Sequence, residues 1–371
     1  MKVMINISSI TQKHRGMGVF TKRILLKILE DNTFEFILVS CCNVDCDFLK
    51  KIRKKNNIVF VKKIYFPLPI FEQLVIPILI KKYQPDICWF PSNTFPLIKP
   101  KKTKFIATIH DLIFLDQNIK PKNLYQKIGK LYRSFIVKKG IKKLDAITSV
   151  SLSTLKEIVN TFNLSKNNIS SKQVLYNSVE VNEKFDESIL NRLNLIKNHY
   201  FYTISGSAPN KNLFFLIRAF AKYVNTKTIK HIKLVITGLP KKQERKNFVA
   251  LANSLNIKNQ IIFTDFVSEY EKNALLKNCQ LFIFASTQEG FGIPLIEALY
   301  FNCSTLVSDI PVFREIGKNY CVYFNYKDEN FLLAYFNNHH FPLKYNSKKY
   351  IQINFSSIKS AKKLKNIFIN M

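Results

Sequence analysis

Short apolar runs that alternate with longer amphipathic stretches constrain the fold of this chain more than any other feature. A first series of such runs covers residues 2–7, 34–40, 57–63, 86–91, 104–109 and 146–151. A polar stretch at 182–198 interrupts the pattern, and a second series covers 200–206, 232–238, 260–266, 280–286, 304–309 and 321–325. Strands alternating with helices are typical of βαβ units and parallel sheets. The pattern therefore predicts an α/β protein with two consecutive Rossmann-like domains.

The length of 371 residues suits two domains that each bury a core. We predict an N-terminal domain at 1–180, a linker at 181–198 and a C-terminal domain at 199–345. An amphipathic closing helix is expected at 346–371. Ligands of open parallel sheets bind beyond the carboxyl ends of the strands. Functional residues are therefore expected in the loops that lead from a strand into the next helix.

The chain is strongly basic, with 57 Lys+Arg against 25 Asp+Glu and a net charge of +32. Such a charge suggests nucleic acid, an anionic membrane or an acidic substrate as a partner. Codon bias is an alternative source, because Lys, Asn, Ile, Phe and Tyr are all abundant. The cations are spread along the chain without a basic arm, and no helix-turn-helix or RNA-binding signature is evident. We therefore expect no nucleic-acid partner, and a nucleic-acid-binding protein is only an alternative interpretation.

Cysteine usage and hydropathy indicate a cytosolic chain without a membrane span. The seven cysteines show no CxxC pair and no paired spacing with histidine, so we expect reduced thiols and no zinc site. The beginning "MKVMINISS" is typical of a first strand rather than a signal peptide. The longest apolar run, "LVIPILI" at 74–80, is too short to cross a bilayer.

The segment "FIFASTQEGFGIPLIEALY" at 282–300 carries the clearest chemical signal. A predicted strand ends at Ser286, a glycine-containing loop follows, and Pro294 opens a helix in whose first turn we expect Glu297. Helix N-termini bind anions, and carboxylates such as Glu289 and Glu297 accept hydrogen bonds from sugar hydroxyls. The arrangement suits a nucleoside diphosphate-sugar. Alternatively, Glu297 complements the helix dipole and Glu289 is solvated.

Several segments, taken in order, resemble the retaining glycosyltransferases of family 4. The segments are "KHRGMGVFTKRIL", "TIHDL", "VSLSTLKEI", "VLYNSVE", "SGSAPNKNLFFLIRAFA", "EGFGIPLIE" and "FSSIKSAKKL", which together span essentially the whole chain. The resemblance implies the GT-B fold, in which two Rossmann-like domains face each other across a cleft and a C-terminal helix returns to the N-terminal domain. It also implies a hexosyltransferase of the HDL-containing type that acts in bacterial surface-polysaccharide synthesis.

The resemblance implies roles for individual residues. Glu297 would bind the donor ribose, Glu289 the donor sugar, and Lys211 the diphosphate, whose charge grows as the glycosidic bond breaks. His110 would lie near the donor sugar, although a purely structural histidine is the alternative. The remaining donor-binding candidates are Gly290, Phe291, Gly292, Ile293, Asn210, Gly16, Gly18 and Arg15, of which the two N-terminal glycines would let a loop fold over the substrate. Front-face displacement with retention would need no cofactor and no essential metal.

Three positions depart from the family pattern. Asn210 precedes Lys211 where an arginine is usual, Ser178 stands for a glycine, and Asn302-Cys303-Ser304 stands for Gly-Thr-Pro. These departures keep open the alternative of a weak or inactive scaffold protein in a glycosylation complex. A sugar-nucleotide epimerase with the same fold is a further alternative, against which the paired glutamates argue.

The segment 121–144 predicts an amphipathic helix with a basic flank. Leu124, Ile128, Leu131 and Phe135 repeat at helical spacing, and lysines and arginines occupy much of the remainder. An anionic membrane surface is one partner for this helix, and packing against the core is the alternative. The resemblance favours a lipid-linked oligosaccharide as acceptor and GDP-mannose as a first guess for the donor. We accordingly expect a peripheral enzyme of O-antigen, capsule or lipopolysaccharide synthesis at the inner face of the bacterial cytoplasmic membrane.

Overall fold

The chain forms two compact units. Unit 1 comprises Met1–Ser178 and Phe355–Met371, and unit 2 comprises Val179–Asn354. The computed structural model describes residues 1–12, 16–53, 55–61, 65–119, 121, 123–165, 169, 171–227, 231–239, 241–265, 267–338, 341 and 346–371. The stretch predicted as a linker, 181–198, falls within unit 2 and contains a short helix at Ser188–Arg192.

Unit 1 is built around a parallel sheet. Its strands are β1 (Lys2–Asn6), β2 (Glu35–Val39), β3 (Ile58–Phe60), β4 (Ile87–Phe90), β5 (Lys104–Ile109), β6 (Ala146–Ser149) and β7 (Ser171–Val174). Its helices are α1 (Gly16–Ile28), α2 (Cys46–Ile52), α3 (Leu68–Ile70), α4 (Ile76–Tyr83), α5 (Leu124–Gly140) and α6 (Leu152–Phe162). Within the described residues the strand order is β3-β2-β1-β4-β5-β6-β7, so the order reverses between β1 and β4.

Strand β7 is absent from the predicted set. Its sequence, SKQV, ends in a single apolar residue, and among the described residues it pairs only with β6, at the sheet edge. An edge strand of this kind lacks the continuous apolar run that marks strands buried on both faces. By contrast, β4 and β6 are buried along their whole length and follow the predicted pattern.

Unit 2 repeats the plan with a smaller parallel sheet. Its strands are β8 (Tyr200–Ile204), β9 (Lys233–Thr237), β10 (Ile261–Phe263), β11 (Leu281–Phe284), β12 (Thr305–Ser308) and β13 (Val322–Phe324). Its helices are α7 (Ser188–Arg192), α8 (Leu213–Lys227), α9 (Lys242–Ser254), α10 (Glu269–Asn278), α11 (Ile293–Tyr300), α12 (Pro311–Gly317), α13 (Glu329–Asn337) and α14 (Ser347–Asn354). The order among described residues is β10-β9-β8-β11-β12-β13, which reverses between β8 and β11.

The predicted closing helix at 346–371 is two helices. After α14 in unit 2, the chain forms α15 (Ser357–Ile369), which belongs to unit 1 and packs against α1. Ser360 Oγ donates to the Tyr176 carbonyl at 2.8 Å, and Lys365 forms an ion pair with Asp31. The expected return of the C-terminal helix to the N-terminal part is therefore found, over a shorter span.

The predicted fold class, two Rossmann-like α/β units with parallel sheets, is confirmed. Each unit has its own buried cluster of aliphatic and aromatic side chains. Among the described residues, no helix combines the length and the apolar character needed to cross a bilayer.

Candidate active site

The candidate active site lies at the point of the unit 2 sheet where the strand order reverses. There β8 and β11 are direct neighbours, with Phe201 opposite Leu281 and Tyr202 opposite Phe282. The loop after β8 carries Lys211, and the loop after β11 carries Glu289. Parallel neighbours end at the same edge, and chains leaving such strands in opposite directions open a crevice for a ligand. The topology therefore brings together residues that are 78 positions apart.

Asn210 joins these two loops. It lies buried in a short 3₁₀ turn, Pro209–Lys211, that follows β8. Its side-chain Nδ2 donates to the Gln288 carbonyl at 3.0 Å, and its own carbonyl accepts from the Thr287 amide at 2.8 Å. The residue that departs from the family pattern is thus used to hold the neighbouring loop, which sets the position of Lys211.

Lys211 and Glu289 form an ion pair at this edge. Lys211 Nζ contacts Glu289 Oε1, and it lies 5.5 Å from the centre of the Phe284 ring. The side chains keep 26% and 13% of their surface exposed, so the pair is largely shielded but still open to a ligand. A cation and a carboxylate held side by side can bind a phosphate oxygen and a sugar hydroxyl, respectively.

Gly292 ends the loop and caps α11. Its φ of 104° lies in a region that side chains rarely adopt, and a Cβ there would approach the Phe313 ring to 2.9 Å. Phe291 is buried beside it, whereas Ile293 is half-buried and begins the helix, with Pro294 in the first turn. The predicted strand, glycine loop and proline-opened helix are all found.

Glu297 differs from its expected position. It is the fifth residue of α11, beyond the first turn, so the helix N-terminus is not its main electrostatic partner. Instead, Lys272 Nζ binds Glu297 Oε1 at 2.6 Å, with 23% and 12% of the two side chains exposed. Each glutamate of the motif is therefore paired with a lysine from another loop or helix.

Lys272 was not among the predicted site residues. It lies in the first turns of α10, whose start is fixed by a capping box between Ser268 and Glu271. Since α10 follows β10, its N-terminus lies at the carboxyl edge of the sheet, where ligands bind. The Ser-x-x-Glu pattern at 268–271 could have predicted this position. It marks the start of a helix after a strand, and Lys272 follows it directly.

His110 lies in unit 1 directly after β5 and is buried. Its Nε2 is 2.8 Å from the Pro91 carbonyl, which only accepts, so Nε2 carries the proton and Nδ1 is the acceptor nitrogen. Its backbone amide donates to Asn93 Oδ1 at 2.6 Å, and Phe20 packs edge-on against the ring. Burial lowers the pKa of His110 to about 4, so the ring is neutral at pH 7.

The N-terminal glycines are part of α1 rather than of a flexible loop. Gly16 is its first residue, and Gly18 is buried two positions later in the same turn. A Cβ on Gly18 would come within 2.2 Å of the Ser9 carbonyl oxygen, so close helix packing requires glycine there. These glycines were expected to let the strand-to-helix loop fold over the substrate; the structure places both in α1, and that role stays a prediction. Arg15 lies outside the described residues.

The turn after α11 shows why one departure from the family pattern is tolerated. Asn302 adopts a φ of 56°, in the left-handed region where asparagine replaces glycine at low cost. Its Oδ1 accepts a hydrogen bond from Ser347 Oγ at 2.9 Å, and Ser304 Oγ donates to the Phe341 carbonyl at 2.7 Å. These hydrogen bonds hold the turn Asn302-Cys303-Ser304 in a defined conformation without the usual Gly-Thr-Pro sequence.

Comparison with known proteins supports a transferase. Residues 187–330 match the family described as glycosyl transferases group 1. The O-antigen chain mannosyltransferase RfbU of Salmonella typhimurium is 25% identical over 337 residues, which is 88% of each chain. A 4-alpha-N-acetylgalactosaminyltransferase of Campylobacter jejuni, whose full name specifies a diphospho-undecaprenol-linked substrate, is 26% identical over 65% of this chain and 64% of its own length.

A solved structure shows the same fold along the whole length. HepE from Anabaena, determined in complex with UDP-glucose, has a TM-score of 0.69, 15% identity and full coverage of both chains. The chain has the GT-B fold, and its residues 187–330 resemble group 1 glycosyl transferases.

The family match lies within unit 2 and includes the four residues of the two lysine–glutamate pairs. These are Lys211, Lys272, Glu289 and Glu297. Within the described residues, no three His, Cys, Asp or Glu side chains are grouped so that they could hold a metal ion. Metal independence of the transfer stays a prediction.

Unit 1 contains a buried acid that the sequence analysis did not predict. Glu72 lies in a π-helical turn, Phe71–Val75, between α3 and α4, and is 1% exposed. Its Oε2 accepts from Tyr132 Oη at 2.7 Å and its Oε1 from Thr94 Oγ1 at 2.8 Å. Burial raises the pKa of Glu72 to about 7. A lone glutamate within an apolar stretch gives no indication of these partners.

Proposed function

We propose that the chain moves a hexose, with mannose as the first candidate, from a nucleoside diphosphate-sugar to a sugar hydroxyl of a lipid-linked oligosaccharide. The transfer would retain the anomeric configuration and serve O-antigen or a related surface polysaccharide at the inner face of the cytoplasmic membrane. The observation that carries the proposal is the pair of lysine–glutamate contacts where the order of the unit 2 strands reverses.

The two contacts suit the two ends of a nucleotide-sugar donor. Lys211 would move toward the diphosphate while Glu289 accepts hydrogen bonds from the transferred sugar. Glu297 would bind the ribose hydroxyls, held in orientation by Lys272 at 2.6 Å. The carboxylates bind neutral hydroxyls, and the cations bind the charged leaving group, so each group meets a partner of suitable chemistry.

The reaction forms one bond and breaks one. The acceptor oxygen bonds to the anomeric carbon on the face from which the diphosphate departs, while the bond from that carbon to the phosphate oxygen breaks. The acceptor proton passes to a diphosphate oxygen, and a nucleoside diphosphate leaves. Negative charge grows on the leaving group, which Lys211 would stabilise. Neutral His110 would serve as a hydrogen-bonding group rather than as a cation.

Donor and acceptor are proposed from what the relatives are named for. RfbU is named as a mannosyltransferase of the O-antigen chain, which favours GDP-mannose. HepE was solved with UDP-glucose, so uridine donors are the competing class. The name of the Campylobacter relative includes a diphospho-undecaprenol substrate, which favours a polyprenyl diphosphate-linked acceptor.

The proposal is tested by offering purified protein a panel of GDP- and UDP-sugars and measuring thermal stabilisation and slow hydrolysis of the donor. We expect one nucleotide series to stabilise the protein. We also expect Lys211→Ala to lower donor turnover by roughly 100-fold, because a positioned cation at a developing negative charge contributes about that factor.

Lys197→Ala is the matched control. Lys197 pairs with Glu187 at 2.6 Å just before β8, at the opposite edge of the sheet, so donor turnover should be unchanged. If neither nucleotide series stabilises the protein or is hydrolysed, the inactive scaffold becomes the better interpretation. That alternative is motivated by Asn210, which stands where the family usually has a cation.

A further inference from the structure

An exposed apolar stripe runs along α5 in unit 1. Its members repeat at helical spacing and expose more than half of their surface: Leu124 (71%), Ile128 (53%), Leu131 (61%) and Phe135 (54%). The helix packs on the rest of unit 1 through another side, where Ile136, Val137 and Gly140 are buried. Helices of globular proteins normally turn their apolar stripe toward the core. In α5 the predicted apolar face is turned outward instead, so core packing does not account for it.

A second exposed stripe runs from α3 through the π-helical turn into α4. Ile70, Leu74 and Ile78 repeat every four residues, and the last two expose 61% and 66% of their surface. Tyr65 and Phe66 are exposed just before α3. This side of the segment differs from the side that holds Phe71, Ile76 and Ile80, which is buried in the unit 1 core.

The two stripes border the same contact between helices. Gln73, next to Leu74, donates from Nε2 to Tyr132 Oη at 2.9 Å, and Tyr132 follows Leu131 in α5. Tyr132 in turn donates to buried Glu72 at 2.7 Å. The hydrogen bonds fix α5 against the π-helical turn, so both stripes are held on one part of unit 1.

Cations flank the stripes. Residues 121–143 contain eight lysines and arginines and no acidic residue. Lys127, Lys138, Lys139 and the pair Lys142–Lys143 are exposed, as are Lys81 and Lys82 at the end of α4. An apolar stripe whose own helix carries only positive charges complements an anionic lipid surface, into which large apolar side chains insert while lysines reach the head groups.

We propose that these two stripes and their lysines form a docking surface for an anionic phospholipid bilayer. A protein partner fits less well, because lysine is depleted in protein interfaces. The inference is carried by unit 1 and is independent of the donor-site proposal, which rests on unit 2. The surface would hold the enzyme at a membrane without a spanning helix.

The test is co-sedimentation of the full chain with vesicles of phosphatidylglycerol and phosphatidylethanolamine, and with vesicles of phosphatidylcholine alone. We expect binding to the anionic vesicles only, weakened by added salt. The double variant Leu131→Ser/Phe135→Ser should lower the affinity at least about tenfold, and Lys138→Glu/Lys139→Glu should do the same.

Ile358→Ser is the matched control. Ile358 is 63% exposed in α15 of the same unit, so its loss should leave vesicle binding unchanged. Because the tested side chains are exposed, all variants should melt at the wild-type temperature. Equal binding by wild type and both double variants would overturn the proposal. So would a dimer in size-exclusion chromatography that the stripe variants dissociate while vesicles fail to bind.

Discussion

Glu289 and Glu297 carry the sequence signal, but Lys211 and Lys272 decide what the two acids can do. A shielded carboxylate is costly without a partner, and each of these acids has one lysine within contact distance. The two acids could be recognised in the sequence because both lie close to one glycine-containing loop. Lys272, the partner of Glu297, could not be recognised, because it is 25 positions away on another helix.

Lys272→Met is expected to raise the KM for the donor about tenfold with little change in kcat. The substitution removes the charge that orients Glu297, and a tenfold effect corresponds to about 1.4 kcal/mol. The informative measurement is the ratio of affinities for a ribonucleoside diphosphate and its 2′-deoxy analogue. That ratio should fall in the variant, since Glu297 would no longer be aimed at the ribose hydroxyls.

Lys277→Met tests whether any lysine of α10 would have this effect. Lys277 lies on the same helix but stacks over Phe185 at 4.2 Å, away from Glu297. Both kinetic constants and the ribose preference should stay at wild-type values in this variant. An unchanged ribose preference in Lys272→Met would remove Lys272 from the donor site.

Most of the regular strands and helices could be predicted from the periodicity of apolar residues and from residues that mark helix starts. The strands buried on both faces, such as β4 and β11, are continuous apolar runs, and Pro294 marks the start of α11. β7 could not be predicted, because an edge strand lacks a continuous apolar run. The division of the closing helix into α14 and α15 could not be predicted either, because no proline or glycine marks the break between them. The π-helical turn was equally hidden, since its sequence FEQLV continues an apolar pattern.

The π-helical turn predicts a pH dependence of unit 1. Glu72 has a folded pKa of about 7 against an ordinary value of 4.5, so the folded state holds a proton that the unfolded state releases. Its contribution to stability is therefore present below about pH 4.5 and is lost as the pH rises to about 7. The shift corresponds to about 3 kcal/mol. Glu72→Gln should remove this loss.

Urea midpoints of wild type and Glu72→Gln, measured from pH 5 to pH 8, provide the check. The variant should gain on the wild type as the pH rises. His110 has the opposite slope, because its lowered pKa makes the unfolded state bind the extra proton, but it is common to both proteins and cancels. Parallel midpoint curves would contradict the protonated state assigned to Glu72.

At the scale of the whole molecule, candidate functional residues occur in both units, each of which is built around a parallel sheet. Unit 2 holds the paired acids and lysines within the region that matches the family, whereas unit 1 holds His110, Glu72 and the exposed apolar stripes. Similarity to RfbU covers 88% of the chain, so both units take part in the resemblance.

Divalent-metal removal should leave transfer intact. We expect kcat with the identified donor to stay within about twofold after treatment with EDTA, because Lys211 is available to neutralise the leaving diphosphate. The measurement is product formation before and after chelation, with magnesium and manganese added back. Loss of activity that either ion restores would show that a cation assists the leaving group.

The order of apolar runs along the chain was sufficient to determine two parallel α/β units and the loop that bears Glu289 and Glu297, because strand period and turn chemistry are local properties. Tertiary structure alone decided which lysine meets which acid. The Lys211–Glu289 contact depends on β8 and β11 being neighbours, and the Lys272–Glu297 contact depends on α10 packing against α11. It also decided that the apolar stripe of α5 faces outward. An amphipathic sequence shows that a helix has an apolar face, but it does not show whether that face packs against the rest of the protein.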